Sequence, residues 1–131
     1  MYAFKYIGYP IYPVNDKEQS LCCPPDCCDM RGFLTFQILW ELKDEPLYGQ
    51  QIADRLGQRR GFTPTAGTIY PALKELKERG LIEGKKQGRE IIYTLTETGY
   101  NGLRDAARYF NQAFGYIVEE CQETGFCDDS C

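Results

Sequence analysis

The segment GTIYPALKELKERGLIEGKKQGREIIYTLTETGY, residues 67–100, changes its hydrophobic period part-way along. In its first half, Ile69, Leu73 and Leu76 are spaced as on one face of a helix, and Gly80 is the expected C-terminal cap. In its second half, apolar and polar residues alternate, as they do in a half-buried strand. We therefore predict a helix that is followed directly by extended chain.

The extended part of this segment is predicted to be a hairpin. The sequences LIEGKK and REIIYTL flank Gln87–Gly88, which suits a tight turn between two strands. Thr96 is a suitable N-cap for a last, long helix. Pro71 lies inside the preceding helix, so that helix is either kinked or begins later than Thr65 suggests. One face of the hairpin carries Ile91, Tyr93 and Leu95.

Two further helices are predicted before this segment. From about Arg31, apolar residues are spread nearly all round the helix, which is typical of a buried helix, and the sequence DEP at 44–46 ends it. A second helix begins near Tyr48, with apolar residues spaced four apart, and Gly57 is its predicted end.

The last helix carries the best periodic pattern in the chain. Its apolar residues are spaced alternately three and four apart over three heptads, as in the seam of a coiled coil. We predict that this seam pairs two copies of the chain in a homodimer; a helix packed on its own core is the alternative. The seam residues are Tyr100, Leu103, Ala107, Phe110, Phe114 and Ile117, with Cys121 at the end.

Three helices followed by a two-stranded ribbon are typical of a winged helix-turn-helix. The predicted fold class is therefore mainly α with a small β-hairpin, followed by a long C-terminal dimerisation helix. In such domains the recognition helix, here the third, enters the major groove, where base pairs can be distinguished. The hairpin, here called the wing, would lie along the phosphates and contribute affinity. Its basic tip contains Lys85, Lys86 and Arg89.

The charge distribution supports this interpretation, although the chain as a whole is acidic. The 131 residues carry a net charge of −4. Residues 55–89 contain nine basic and three acidic side chains, so this segment is +6 and the rest of the chain is −10. Such asymmetry is typical of a local nucleic-acid-binding surface; a solvated surface of mixed charge is the alternative.

Three motifs in this order resemble the PadR family of transcriptional regulators. They are EPLYGQQIADRL at 45–56, GTIYPALKELKERGLIE at 67–83 and YTLTETGYNGL at 93–103, within a matched region of residues 33–114. The resemblance implies a homodimeric winged-helix repressor of the short form, in which a single C-terminal helix builds the dimer with help from the first helix. Double-stranded operator DNA is the implied partner.

The resemblance also implies which residues face DNA. Tyr48 and Gly49 would start the helix that precedes the recognition helix, and Lys74 would lie behind the DNA-facing residues of the recognition helix. The alternatives are that Tyr70 is a core tyrosine and that Gly49 and Gly67 serve only close packing. The implied DNA-facing residues are Thr65, Gly67, Thr68 and Tyr70.

The length and composition predict one domain in the cytoplasm. A chain of 131 residues, 43% hydrophobic and 26% charged, is long enough to bury a core. No apolar run is long enough to cross a membrane, and the start of the chain lacks the pattern of a signal peptide. We divide the chain into a tyrosine- and cysteine-rich arm at 1–29, a winged-helix domain at 30–96, a dimerisation helix at 97–121 and a cysteine-bearing tail at 122–131.

Seven cysteines in two groups are a feature that a winged helix does not require. Thiols are normally reduced in the cytoplasm, so the groups predict metal or redox chemistry before disulfides. The chain has no histidine, so a metal site would be mostly thiolate, which suits zinc, copper(I), arsenic(III) or an Fe–S cluster. No C-x-x-C spacing is present, which disfavours a zinc ribbon. The groups are Cys22, Cys23, Cys27 and Cys28 before the first helix, and Cys121, Cys127 and Cys131 at the end of the last.

These patterns lead to one hypothesis and its alternatives. The chain is predicted to be a dimeric, sequence-specific repressor whose cysteine groups sense a soft metal, a metalloid or a redox signal, with contact between the two groups across the dimer as one of the arrangements left open. One alternative is a repressor with structural cysteines and an aromatic effector bound beside Trp40, Phe110 and Phe114. Another is a thiol-rich metal-binding module without specific DNA recognition. An enzyme is disfavoured, because the sequence has no histidine base, phosphate-binding loop or nucleophile motif.

Overall fold

The computed structural model describes residues 33–127, which form a winged helix followed by a long C-terminal helix. The predicted fold class, mainly α with a small antiparallel sheet, is confirmed. The arm at 1–29 and residues 128–131 lie outside the described part. No helix within residues 33–127 is long and apolar enough to span a membrane. The elements are α1 (Leu34–Leu42), β1 (Leu47–Tyr48), α2 (Gly49–Arg60), α3 (Ala66–Glu78), β2 (Ile82–Gln87), β3 (Glu90–Leu95) and α4 (Glu97–Thr124).

The hydrophobic core lies between α1, α2, α3 and the sheet. Each of these helices contributes apolar side chains, and α3 buries the face that its spacing predicts. Removal of these side chains from water is the main term that stabilises the domain. The large side chains with the least exposure are Ile38, Leu47, Ile52, Leu56, Ile69, Leu73, Leu76 and Ile82.

The sheet has three strands instead of the predicted two, in the order β1-β3-β2. The predicted hairpin of β2 and β3 is present, and Gly88 at its turn has φ +65°, a left-handed conformation that glycine adopts without strain. The additional strand β1 pairs Leu47 with Tyr93 and Tyr48 with Ile92. Two residues are too few to show a period of two, so the sequence pattern contains no sign of β1.

The predicted end of α2 is wrong. Gly57, the predicted end of α2, lies inside the helix, which continues to Arg60. Gly61 ends α2 with φ +85°, and its N–H donates to the Gly57 carbonyl at 2.9 Å. The two arginines of the last turn favour this longer helix, because cations are stabilising beside a helix C-terminus. α3 begins directly after Thr65, so the later start considered because of Pro71 is wrong.

α4 is capped at its start as the sequence predicts. The Thr96 hydroxyl oxygen accepts a hydrogen bond from the Gly99 N–H at 2.9 Å, and the hydroxyl lies 2.8 Å from the Gly80 carbonyl oxygen, to which it donates. These contacts tie the start of α4 to the turn after α3. The helix ends at Thr124, beyond the predicted boundary, and Gly125 with φ +70° follows it.

α4 packs on α1 through aromatic side chains. The ring centroid of Phe110 lies 5.8 Å from that of Phe33 and 5.5 Å from that of Phe36. The ring centroid of Phe114 lies 5.9 Å from that of Phe33. These separations are typical of favourable aromatic pairs. Part of the predicted seam of α4 is therefore occupied by contacts within the same chain.

Leu103 corrects the predicted dimer seam. Its side chain is 3% exposed and belongs to the core of its own chain. The capping contacts of Thr96 hold the start of α4 against the domain. Leu103 therefore faces the core and is not accessible to a second chain. Of the other seam residues, the exposed ones are Tyr100 and Ile117, and the half-buried ones are Ala107, Phe110 and Phe114.

Candidate nucleic-acid interface

The recognition helix α3 presents a polar, exposed face opposite its buried face. The hydroxyls of Thr65 and Thr68 are 3.3 Å apart and share a hydrogen bond. Lys74 lies 3.9 Å from the Glu78 carboxylate, an exposed ion pair of little strength. These side chains are therefore accessible to a ligand. The predicted contacts that the structure places on this exposed surface are Thr65, Gly67, Thr68, Tyr70 and Lys74.

Two other predicted contacts, Tyr48 and Gly49, lie where α2 begins. Gly49 is buried beneath the side chain of Tyr70, and a Cβ at this position would lie 2.7 Å from the Tyr70 hydroxyl oxygen. Gly49 therefore serves close packing, which corrects the prediction of a DNA contact there. Tyr48 is half-buried, and its hydroxyl donates to the side-chain carbonyl of Gln87 in the wing at 3.3 Å.

The wing carries its basic side chains on both faces. Residues directly opposite each other in an antiparallel pair share a face, and neighbouring residues alternate. Lys86 pairs with Ile91, whereas Lys85 pairs with Ile92, so the two lysines lie on opposite faces. Arg89 lies in the turn. All three basic residues are exposed, so each is accessible to a phosphate.

Tyr93 anchors the wing on the core. Its side chain is 6% exposed. Burial raises the pKa of the Tyr93 phenol above its ordinary value, and the nearby Tyr70 raises it further. The phenol therefore stays neutral at physiological pH.

A recognition helix beside a basic wing is also found in a known protein family. The family model for the transcriptional regulator PadR-like family matches residues 38–105, more than half of the chain. The chain belongs to the PadR-like family. This assignment confirms the resemblance carried by the three sequence motifs, and it places the chain among transcriptional regulators and not among enzymes.

Solved structures share the PadR-like fold. RosR of H. salinarum is 30% identical to this chain, with a TM-score of 0.58, and the match covers 79% of this chain and 96% of RosR. A PadR-like transcription factor from Bacteroides fragilis is 26% identical, with a TM-score of 0.57 and coverage of 67% and 89%. A PadR family regulator from Clostridium difficile R20291 is 24% identical, with a TM-score of 0.57 and coverage of 71% and 98%, and shows the fold alone. None of the curated proteins compared matches the chain.

The PadR-like chain has an open groove of about 740 Å³ between α1, the end of α2 and α4. Apolar side chains form most of its wall, and Trp40, Phe110 and Phe114 are among them. Arg59 and Arg60 form a polar end that the sequence analysis missed. The two arginines adjoin the groove only because α2 continues past Gly57, so an error in the helix boundary concealed them.

Side chains of α1 hold both arginines in place. Glu41 is only 7% exposed, and its carboxylate accepts a hydrogen bond from Arg59 Nε at 3.0 Å. Arg60 Nε donates to the Gln37 side-chain oxygen at 2.7 Å, and burial lowers the Arg60 pKa. A buried carboxylate requires such partners. The polar end of the groove is therefore an ordered network.

The second cysteine group of the PadR-like chain is described in part. Cys121 and Cys127 form a disulfide with their Cα atoms 5.6 Å apart. This pairing is the disulfide alternative for these two cysteines, and a disulfide sulfur is not a thiolate ligand. Metal binding by their reduced form stays a prediction. Within residues 33–127 no group of three candidate metal ligands is present. The predicted ligands outside the described residues are Cys22, Cys23, Cys27, Cys28 and Cys131.

Proposed function

We propose that this chain is a homodimeric regulator that binds double-stranded operator DNA and represses transcription. The observation that carries the proposal is the exposed polar face of α3 beside a basic wing, in a chain that belongs to a family of transcriptional regulators. The recognition helix would enter the major groove, with Thr68 and Lys74 as its contacts to bases or phosphates, and the wing would contact phosphates.

The experiment that tests this proposal begins with selection of binding sites from a random pool of double-stranded DNA. Fluorescence anisotropy then compares the selected duplex with a scrambled duplex of the same composition. A sequence-specific regulator should prefer the selected duplex by about a thousandfold or more. Equal affinities would contradict the proposal and would favour the metal-binding module.

Lys85→Ala combined with Lys86→Ala is expected to weaken binding to both duplexes. The slope of log affinity against log salt is negative, and each lost phosphate contact reduces its magnitude by about 0.9, so we expect the magnitude to decrease by about 1.8 if both lysines contact phosphates. A salt titration of the anisotropy measures this slope. Lys43→Ala is the control, because Lys43 is the C-cap residue of α1, outside the recognition helix and the wing, and forms an ion pair with Asp44, so its loss should leave the slope unchanged. An unchanged slope in the double variant would show that the two wing lysines do not contact phosphates.

We propose that α4 forms the homodimer. Besides Tyr100, four large apolar side chains on α4 or just after its end are exposed in the single chain, including Tyr109 at 65% and Phe126 at 85%. Contiguous exposed apolar surface is typical of a protein–protein contact. The other two, Tyr116 and Ile117, lie between these along the chain.

We also propose that the Cys121–Cys127 pair is the site at which a redox or soft-metal signal acts. The pair lies one helical turn beyond Ile117 and Val118, which line the groove, at the end of the proposed dimerisation helix. Hydrogen peroxide would oxidise the two thiols to the disulfide with release of two water molecules, and a dithiol would reduce the disulfide again while itself becoming a disulfide. In the reduced form, the two thiolates with Cys131 would suit arsenic(III), copper(I), zinc or an Fe–S cluster.

Cys121→Ser combined with Cys127→Ser is expected to abolish this response. Coupling between an effector site and a ligand site commonly changes affinity about 5- to 150-fold, so wild-type protein that has first been reduced with a dithiol should change its operator affinity by about fivefold or more on peroxide or arsenite treatment. The double variant should bind the operator with constant affinity. A variant with serine at the four cysteines of the arm is the control and should keep the response. A response that persists without Cys121 and Cys127 would contradict the proposal.

The groove favours a second candidate effector, an aromatic small molecule. Trp40, Phe110 and Phe114 offer aromatic contacts, and Arg59 and Arg60 would favour an acidic group on the ligand. The same anisotropy assay separates the two candidates. A change in operator affinity on addition of an aromatic carboxylic acid that persists in the double-serine variant would support the groove as the effector site.

A further inference from the structure

Lys77 lies where the recognition helix meets the wing. Its side chain is exposed, and its Cδ atom lies 3.6 Å from the position that a Cβ would occupy at Gly84 in β2. The same position is 3.0 Å from Ile91 Cγ2 and 3.3 Å from Tyr93 Cε1. Gly84 is therefore the floor of a notch in the wing, and the aliphatic stem of Lys77 lies across that notch.

We infer that Lys77 contacts the DNA backbone from this notch, and that Gly84 is a positioning residue that sets the direction of its side chain. The inference rests on the proposed DNA binding and adds one phosphate contact to the recognition helix. A lysine stem packs along apolar surface while its ammonium group stays in water. The absence of a side chain at Gly84 allows the stem to lie close to the sheet.

The charges around the notch favour a phosphate backbone as the ligand. Lys74 lies one helical turn before Lys77, and Lys86 lies on the same face of the wing as Gly84, because it is two residues further along the strand. In the part of the chain that the structure describes, Lys74 forms its ion pair with Glu78, and no carboxylate lies within 4.0 Å of Lys77 or Lys86. Three ammonium groups would therefore flank the joint between helix and wing. A duplex presents closely spaced negative charges that such a row can follow.

The test is a salt titration of operator binding by Lys77→Gln. We expect the magnitude of its negative slope of log affinity against log salt to decrease by about 0.9 on the selected and the scrambled duplex alike, because one phosphate contact is lost. Lys77→Arg keeps the charge and should restore the wild-type slope. Lys43→Gln removes a charge at the C-cap of α1, outside the recognition helix and the wing, and should have no effect on the slope.

Gly84→Val tests the positioning role without a change in charge. The valine side chain would displace the Lys77 stem. We therefore expect the magnitude of the salt slope to decrease about as much as in Lys77→Gln. The double variant with both substitutions should show no further decrease. Circular dichroism verifies that the variant is folded, and Lys77→Gln carries the test if it is not. A wild-type slope in Lys77→Gln would overturn the inference, provided that the wild-type protein binds DNA. Absence of DNA binding by the wild-type protein would instead overturn the proposed function.

Discussion

Gly99→Ala is expected to destabilise the domain by about 3 kcal/mol, because the new methyl group would collide with backbone atoms that cannot move away. A Cβ at Gly99 would lie 2.9 Å from the Leu81 carbonyl carbon and still closer to its oxygen. That oxygen accepts hydrogen bonds from both the N–H of Thr96 at 3.1 Å and its hydroxyl at 3.1 Å. Relief of the collision would break the contacts that cap α4.

Gly102→Ala is the matched control for this prediction. Gly102 lies three residues further along the same helix, and a Cβ there would meet only Leu81 Cδ2 at 3.9 Å, an ordinary contact. Alanine is favoured over glycine in a helix by about 0.8 to 1 kcal/mol, so this variant should be more stable than wild type. Chemical denaturation followed by circular dichroism, at one protein concentration, measures both changes. Equal stabilities of the two variants would contradict the packing of α4 on the turn after α3.

Leu103→Ala is expected to destabilise each chain by about 2 to 5 kcal/mol, the usual cost of a cavity in a core. The structure buries Leu103 within its own domain, whereas the heptad pattern assigns it to the dimer seam. Ile117→Ala is the control, because Ile117 belongs to the same pattern but is 44% exposed. It should weaken self-association and leave the stability of the single chain nearly unchanged.

Protein concentration distinguishes these two effects. Stability that depends on a dimer contact changes with protein concentration, whereas stability from a core contact does not. The loss in Leu103→Ala should therefore be the same at every concentration in denaturation experiments, and sedimentation should show fewer dimers for Ile117→Ala. If the loss of stability in Leu103→Ala varied with protein concentration, Leu103 would belong to the dimer interface.

Local signals in the sequence account for most of the fold that was predicted. The change of hydrophobic period between Leu76 and Ile91 places a helix before a hairpin, and both are present. Thr96 caps α4 as expected, because a hydroxyl at an N-cap bonds an N–H only three residues away. The basic wing was also predictable, because alternation in a hairpin exposes its polar residues. Each of these signals acts within one element.

Contacts between elements account for what the sequence analysis missed. Strand β1 exists only because Leu47 pairs with Tyr93, a residue far along the chain. The family motif at 45–56 implies that Gly49 faces DNA, but in the folded chain the side chain of Tyr70 covers Gly49. Leu103 follows the seam pattern, because a helix repeats its apolar residues in the same way whether they face a partner or the core of their own domain.

The sequence alone therefore determines the order of the four helices and the hairpin, the basic wing and the family of this protein, since periodicity, capping and motifs are properties of neighbouring residues. The tertiary structure determines the groove with its two arginines, the pairing of Cys121 with Cys127 and the notch at Gly84 that receives Lys77. These features depend on distances between residues that are separate in the chain or on the path of the backbone between them. Folding sets those distances through the packing of the whole core.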